Sequence, residues 1–339
     1  MIKSYRQRDI NCHYPPLRLW IEPTNLCNLK CNMCPTSFIP DEKIGFMKLD
    51  TFKSIIDDAR DYVYDVFLLL RGEPLLHKEI SEMIKYCNKS GVRSVIHSNA
   101  TMLNDRLSES LIISGLDLIS FSFDGYDKAT YENIRKGANY EDTISKITAF
   151  LKIKKRLNSK VPYVIIQNIL FKNIKYTLAD KVKFKKYFSS LPANEFRDVD
   201  SDNRGGFFAE EKNFHTTLTK CKTISACPFI WYSLAILWDG KILPCCVDFE
   251  NNNIVGDISN TNILSIWNGQ EMLKLRKSMR ERALTKKDSC YNCDIIWHKR
   301  KGNIPLDFLL NLSEGIIGYN FPRFIYQNSR IVKKFLHKR

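Results

Sequence analysis

Three cysteines stand within eight residues, Cys27-Asn-Leu-Lys-Cys31-Asn-Met-Cys34, shortly after the apolar run Leu17–Ile21. Their spacing is C-x3-C-x2-C. A closed structural zinc site takes four ligands, and an ordinary four-iron cluster takes four thiolates. A loop that offers three leaves one metal position for something other than protein, unless a distant residue completes a zinc knuckle. That open position is where chemistry would occur.

The chain has eleven cysteines, and most are clustered: 27, 31 and 34; then 221, 227, 245 and 246; then 290 and 293. Its N-terminus (Met1-Ile-Lys-Ser-Tyr-Arg-Gln-Arg) shows no apolar signal segment, and no apolar run reaches the roughly 18 residues of a membrane span. This reads as a cytoplasmic protein. In a reducing compartment a chain of 339 residues is a poor candidate for a disulfide framework, so metal ligation is the better account of the clusters. Cys12 and Cys87 stand alone and read as small buried hydrophobes. Cys246 would point away from its neighbour Cys245 in an extended chain. It reads as a spare thiol, an alternative ligand or a hydrogen-atom donor. His77, His97 and His215 are candidate bases, although a lone histidine is more often structural.

The elements that must position these groups alternate regularly. Strand-like runs cover Leu17–Pro23, Val66–Gly72, Ser94–Asn99, Leu118–Asp124, Tyr163–Leu170 and Glu195–Asp200. Helical patterns lie between them at Lys48–Tyr62, Lys78–Ser90, Asn104–Ser114, Tyr140–Leu157 and Tyr176–Phe188. Such βα succession predicts a parallel sheet with helices outside, here a partial (β/α)6 TIM-like barrel, and chemistry at the C-terminal strand ends. The cysteine loop, Gly72-Glu73-Pro74, Ser98-Asn99 and Ser122-Phe123-Asp124-Gly125 all fall on that rim.

The barrel is expected over residues 1–200, a linker over 201–220, a second module over 221–298 and a basic amphipathic tail over 299–339. In the second module the Asp239-Gly240 turn between apolar runs predicts a hairpin, Tyr232–Trp238 with Lys241–Leu243, and Ile263–Met279 reads as a helix. The tail mixes apolar residues with Arg323, Arg330, Lys333, Lys334, Lys338 and Arg339. It suits a helix lying on an anionic membrane surface, or one packed on its own domain with a basic end. Formal net charge is +15, which speaks to association with anionic partners rather than to fold.

The triad at the end of the first strand, with the rim motifs after it, resembles the radical S-adenosylmethionine (SAM) superfamily over roughly residues 17–298. The resemblance implies a 4Fe-4S cluster on Cys27, Cys31 and Cys34. Its open iron would chelate S-adenosyl-L-methionine, and reductive cleavage would yield a 5′-deoxyadenosyl radical that takes a hydrogen atom from substrate. Gly72, Glu73 and Pro74 match the motif that meets the methionine ammonium, with Arg71 in place of its first glycine. Ser98, Asn99, Ser122 and Asp124 match contacts to the ribose and the methionyl carboxylate. Arg135 sits where relatives place a basic residue near SAM, and Met33 would cover the adenine. The series Cys227-Pro, Trp231, Asp239-Gly240, Pro244-Cys245, Gly256-Asp257, Trp267-Asn268 and Cys290-x2-Cys293 resembles the SPASM/twitch extension. No cysteine follows Cys293. The resemblance then implies one auxiliary 4Fe-4S cluster on Cys227, Cys245, Cys290 and Cys293, with structural zinc on the same thiols as the alternative. It further implies a flavodoxin- or ferredoxin-type electron donor, no nucleic-acid partner, and a small-molecule or peptide substrate. The expected reaction is oxidation of a sugar- or cyclitol-type alcohol. The alternatives are maturation of a ribosomal peptide by crosslinking or epimerisation, and a non-enzymatic zinc protein.

Overall fold

The computed structural model describes residues 1–38, 40, 43–208, 226–285, 290–297, 313–314 and 318–319. After helix α1 (Ile2–Gln7), strands β1 (Arg18–Ile21), β2 (Asp65–Leu68), β3 (Arg93–Ser98), β4 (Leu118–Ser122), β5 (Tyr163–Leu170) and β6 (Glu195–Asp200) follow one another across one sheet. Between them run helices α2 (Leu49–Ala59), α3 (Ile80–Lys89), α4 (Asp105–Ile113), α5 (Lys128–Ile134), α6 (Tyr140–Arg156) and α7 (Leu178–Lys186). All these strand pairs are parallel.

The helices form where apolar residues recur every three or four positions. In α3 the buried set is Ile80, Met83, Ile84 and Cys87, and in α2 it is Phe52, Ile55, Ile56 and Ala59. Cys87 is thus a core residue of a helix face. Starts are capped as the polar residues predict: Asn104 accepts from the Leu107 amide at 2.9 Å and Asn139 from the Asp142 amide at 2.9 Å. These faces pack on Leu19, Ile21, Val66, Leu68, Ile96, Ile119, Phe121, Val164 and Ile166, the outer side of the strands. The alternate residues face inward. At the bottom of that inner face Phe67, Val95, Leu118, Tyr163 and Ile165 form a separate apolar cluster.

The second module is not detached from the first. Strand β7 (Ser233–Ile236) pairs parallel with β1, and β8 (Lys241–Leu243) and β9 (Gly256–Asp257) continue antiparallel, giving a nine-stranded order β6-β5-β4-β3-β2-β1-β7-β8-β9. The hairpin forms where expected, with Gly240 at φ 92° in its turn. The helix expected over Ile263–Met279 is two helices, α8 (Ile263–Trp267) and α9 (Gln270–Glu281). Asn268 breaks it because its side chain pairs with the Cys12 backbone instead, accepting from the amide at 3.0 Å and donating to the carbonyl at 2.9 Å.

Ser201–Phe208, expected as the start of a linker, is a packed bridge. Asn203 is buried and donates to the Asn292 carbonyl at 2.8 Å, and Phe208 packs beside Leu29, Cys31 and Met33. The remainder of the expected linker lies outside the described residues, as do Cys221 and His215. Of the expected tail, Glu314 and Tyr319 are described, and both are buried. Arg93 donates to the Glu314 carbonyl at 3.0 Å, and the Tyr319 hydroxyl to Asp65 at 3.4 Å. This part of the tail closes the bottom of the barrel. The late basic residues from Arg323 onward lie outside the described residues. No described helix is long and apolar enough to cross a membrane.

Candidate functional site

The cysteine loop is held by backbone bonds. The Lys30 amide donates to the Lys136 carbonyl at 3.0 Å, the Asn32 amide to the Ile134 carbonyl at 3.2 Å, and the Glu73 amide to the Leu26 carbonyl at 2.8 Å. Gly72 must be glycine: its φ is 72°, and a Cβ there would stand 2.4 Å from the Thr24 carbonyl oxygen. This close approach lets the β2 loop lie against the cysteine loop.

Glu73 is buried and accepts three hydrogen bonds. Its Oε1 accepts from the Ser98 hydroxyl at 2.8 Å and the Leu75 amide at 3.1 Å, and its Oε2 from the Asn99 amide at 2.8 Å. Burial pushes its carboxyl above the ordinary range, and the three hydrogen bonds oppose the rise. Pro74 opens the short turn Pro74–Leu76 behind it. The Asn99 side chain reaches Asn28 at 3.1 Å, which ties β3 to the loop between Cys27 and Cys31.

Asp124 and Arg135 form a second cluster, an ion pair buried on both sides. Asp124 also accepts from the Ile169 amide at 2.8 Å. The Arg135 charge acts on Cys31 and on Glu73, so both carboxylates and the first thiols share one electrostatic field. Among the described residues its Nε is buried without a hydrogen-bond partner. An orphaned donor of this kind marks a place for an acceptor that the chain does not supply. Ser122 stands apart: it faces inward, in register with Gln167, and among the described residues its side chain makes no bond to this group. Met33 is buried with Leu29, Ile134, Ile169 and Phe171. Of the histidines, His77 is structural, bonding the Met47 carbonyl through Nε2 at 2.9 Å and accepting from the Glu79 amide at 3.1 Å.

The thiols of both sets suit iron-sulfur clusters by their donor chemistry. Burial raises Cys27 to about 12, against the Leu29 amide that donates to its sulfur, and raises Cys31 to about 11. Burial likewise raises Cys227 to about 11, against amides of Phe229 and Ile230. These thiols are protonated at neutral pH until a metal displaces the proton, and the amides are placed for the thiolate that results. In the second set Cys245 is raised by burial first, then by Cys246, Cys290 and Cys227, so it lies within electrostatic reach of these thiols. Cys293 is buried as well. Cys246 does not turn away. The chain turns at residues 244–247 rather than running extended, so strand alternation does not apply, and Cys246 comes within electrostatic reach of Cys227.

Sequence reasoning missed three contributors. Glu22, at the end of β1, pairs with Arg71 inside the protein; a lone acid closing an apolar strand was the available signal. Thr36 accepts from the Gly72 amide at 3.4 Å, and Asn203 reaches the backbone between Cys290 and Cys293; neither carries a local sequence signal.

Residues 21–178 match the family model of the radical SAM superfamily, and residues 227–294 that of an iron-sulfur cluster-binding domain, SPASM. Fold and site therefore define a radical SAM enzyme. More narrowly, the chain belongs to the SPASM-bearing branch of that superfamily, whose domains imply 4Fe-4S clusters and SAM. This membership sets aside the non-enzymatic zinc reading.

A relative in Pyrococcus furiosus, the tungsten-containing aldehyde ferredoxin oxidoreductase cofactor-modifying protein, is 26% identical over 67% of this chain and 70% of its own. The S-adenosyl-L-methionine-dependent 2-deoxy-scyllo-inosamine dehydrogenase of Niallia circulans is 21% identical over 81% of this chain and 91% of its own. Among solved structures, BtrN in complex with AdoMet and 2-DOIA is 18% identical with a TM-score of 0.55, covering 85% of this chain and 97% of that one. Streptococcus suis SuiB bound to the precursor peptide SuiA is 17% identical with a TM-score of 0.57, covering 87% of this chain and 73% of that one. Both share the fold.

Proposed function

We propose that this radical SAM enzyme oxidises an alcohol carbon of a sugar- or cyclitol-type molecule. The observation that carries the reading is the second thiol set, buried in a module whose strands continue the sheet of the first. When bound, a first cluster with SAM supplies a hydrogen-abstracting carbon radical, and an auxiliary cluster supplies an electron acceptor. Cys27, Cys31 and Cys34 would hold the first cluster, and Cys227, Cys245, Cys290 and Cys293 a single second one.

The remaining work falls to neighbouring residues. Glu73 presents a carboxylate held by three donors toward an ammonium group. Arg135 offers its unpaired Nε to a carboxylate. Gly72, Pro74, Ser98 and Asn99 shape this rim, Asp124 holds Arg135 in place, Ser122 faces the substrate space, and Met33 gives an apolar wall for adenine. The near end-to-end correspondence with the BtrN fold, 97% of that chain, supports a small-molecule substrate. The likeness to SuiB with its peptide supports a second reading, peptide maturation.

Anaerobic preparation tests the proposal. The protein should be brown and hold about eight irons, four per cluster. With dithionite in place of a flavodoxin-type donor it should form 5′-deoxyadenosine from SAM. Cys27→Ala should remove that activity and about half the iron. Cys245→Ala should keep SAM cleavage and lose oxidised product. A colourless protein, or cleavage that survives Cys27→Ala, defeats the assignment. A crosslinked or epimerised peptide product would favour the second reading.

A further inference from the structure

One layer below Ser98 and Asn99, the inner face of the barrel carries polar groups that the rim chemistry does not use. His97 pairs in register with Ser120, and one layer above them Ser122 pairs with Gln167 and Gln167 with Arg197. Residues on the outer side of these strands are sealed: Ile96, Ile119, Phe121 and Ile166 have no accessible surface. On the inner side Trp20, Leu69, His97, Ser122, Gln167 and Arg197 all keep some. Accessible surface at these positions means that they face a space inside the barrel that solvent can reach.

Among the described residues the imidazole of His97, the Ser122 hydroxyl and the Gln167 amide make no hydrogen bond, and the Ser120 hydroxyl is buried without one. The adjoining strands β1 and β2 are aromatic on this face, with Trp20 and Phe67 rings 4.4 Å apart and His97 6.4 Å from Phe67. Aromatic rings beside hydrogen-bonding groups suit a ring whose faces are C–H and whose edges are hydroxyls.

The charges around the cavity are already compensated. Arg197 lies on Glu195 at 2.7 Å and Arg71 on Glu22 at 2.7 Å, Arg18 at the floor lies on Asp65 at 2.7 Å, and Arg204 is 3.6 Å from Asp202. An anionic substrate would need a counter-charge that these pairs have consumed. We infer that His97, with Ser122 and Gln167, forms a specificity site for an uncharged polyhydroxylated ring, His97 accepting a hydrogen bond from a substrate hydroxyl; this rests on the radical SAM reading above. Burial, with Arg197 and Arg204 adding to it, holds the imidazole neutral down to about pH 4, which keeps one ring nitrogen an acceptor.

Calorimetry on the anaerobically reconstituted, SAM-loaded enzyme tests this with D-glucose and myo-inositol against D-glucose 6-phosphate and myo-inositol 1-phosphate. At least one neutral polyol should bind, and its phosphate should bind about tenfold more weakly or worse. His97→Phe should weaken the neutral polyol by about tenfold, the loss of one hydrogen bond, and His97→Asn by less. On the wild type, 15N spectra of the His97 ring should show a neutral tautomer at pH 6 whose signals move when the polyol is added. Phosphates that bind as tightly as the neutral forms, ring signals that do not move, or no polyol binding at all would overturn the inference. Wild-type 5′-deoxyadenosine formation, measured on the same preparation, separates the outcomes. Cleavage without polyol binding removes this inference alone, whereas absent cleavage removes the reading beneath it.

Discussion

Arg71 lies bidentate on Glu22, with Nε 2.7 Å from Oε1 and Nη2 3.1 Å from Oε2. Both side chains are buried. The same arginine reaches the Phe249 carbonyl at 3.5 Å, and the same glutamate accepts from the Trp238 amide at 3.3 Å. The residue before Gly72 is thereby joined to the end of β1 and to the chain around Cys245 and Cys246. The position holds the rim motif and the second thiol set in one frame.

Arg71→Met should be costly. It leaves Glu22 buried without a counter-charge, which costs about 3–5 kcal/mol. Denaturant unfolding of the wild type and variant under the same anaerobic conditions measures this. The double variant Glu22→Gln with Arg71→Met should recover part of the loss, because no charge is then stranded. No recovery would mean that the pair acts only through packing.

Glu73→Gln keeps the shape of the side chain and removes its charge. Charge-assisted hydrogen bonds contribute about 1.5–3 kcal/mol, so SAM affinity should fall roughly ten- to hundredfold. Calorimetric titration of SAM into the reconstituted enzyme reads this directly. Unchanged affinity would remove Glu73 from the ammonium contact.

His97 sets a pH dependence. Its folded value is depressed to about 4, below the ordinary 6.5, so the unfolded chain binds the proton more readily. Its contribution to stability is complete above about pH 6.5 and is lost as pH falls toward 4. The size is on the order of 2–3 kcal/mol. The gap in unfolding free energy between pH 7.5 and pH 5.5 should therefore be smaller in His97→Asn than in the wild type. Equal gaps would place the imidazole in water.

Asn203→Ala removes the bond from the post-β6 bridge to the Asn292 carbonyl. Asn292 is exposed, so the lost bond should cost about 0.5–1.5 kcal/mol. Because Asn292 lies between two expected cluster ligands, the electron paramagnetic resonance signal of the second cluster should shift while that of the first stays. Equal changes in both signals would show a general loosening instead.

Much of the fold was legible because its periodicities are local. The strands Tyr163–Leu170 and Glu195–Asp200 begin and end where the sequence reading puts them. Helices α3 and α4 lie within the patterns that announce them, since each needs only its own amphipathic spacing and caps. The spacing of Cys27, Cys31 and Cys34 and the Gly72-Glu73-Pro74 motif determined the class of chemistry, because a loop's ligand geometry is set within a few residues.

What distant segments do to one another was decided by the tertiary structure alone. Parallel pairing of β7 with β1 depends on edges more than 200 residues apart, and it made one sheet of two expected modules. Asn268 split a helix because its partner is Cys12. Ser201–Phe208 reads as a loop and is a bridge, because Asn203 and Phe208 find partners that no neighbouring residue announces. His97 was one histidine among three until the pleat turned it inward, beside unpaired hydroxyls and compensated arginines. Side-chain type and spacing are properties of the chain; burial, pairing of charges and the shape of a cavity belong to the folded molecule.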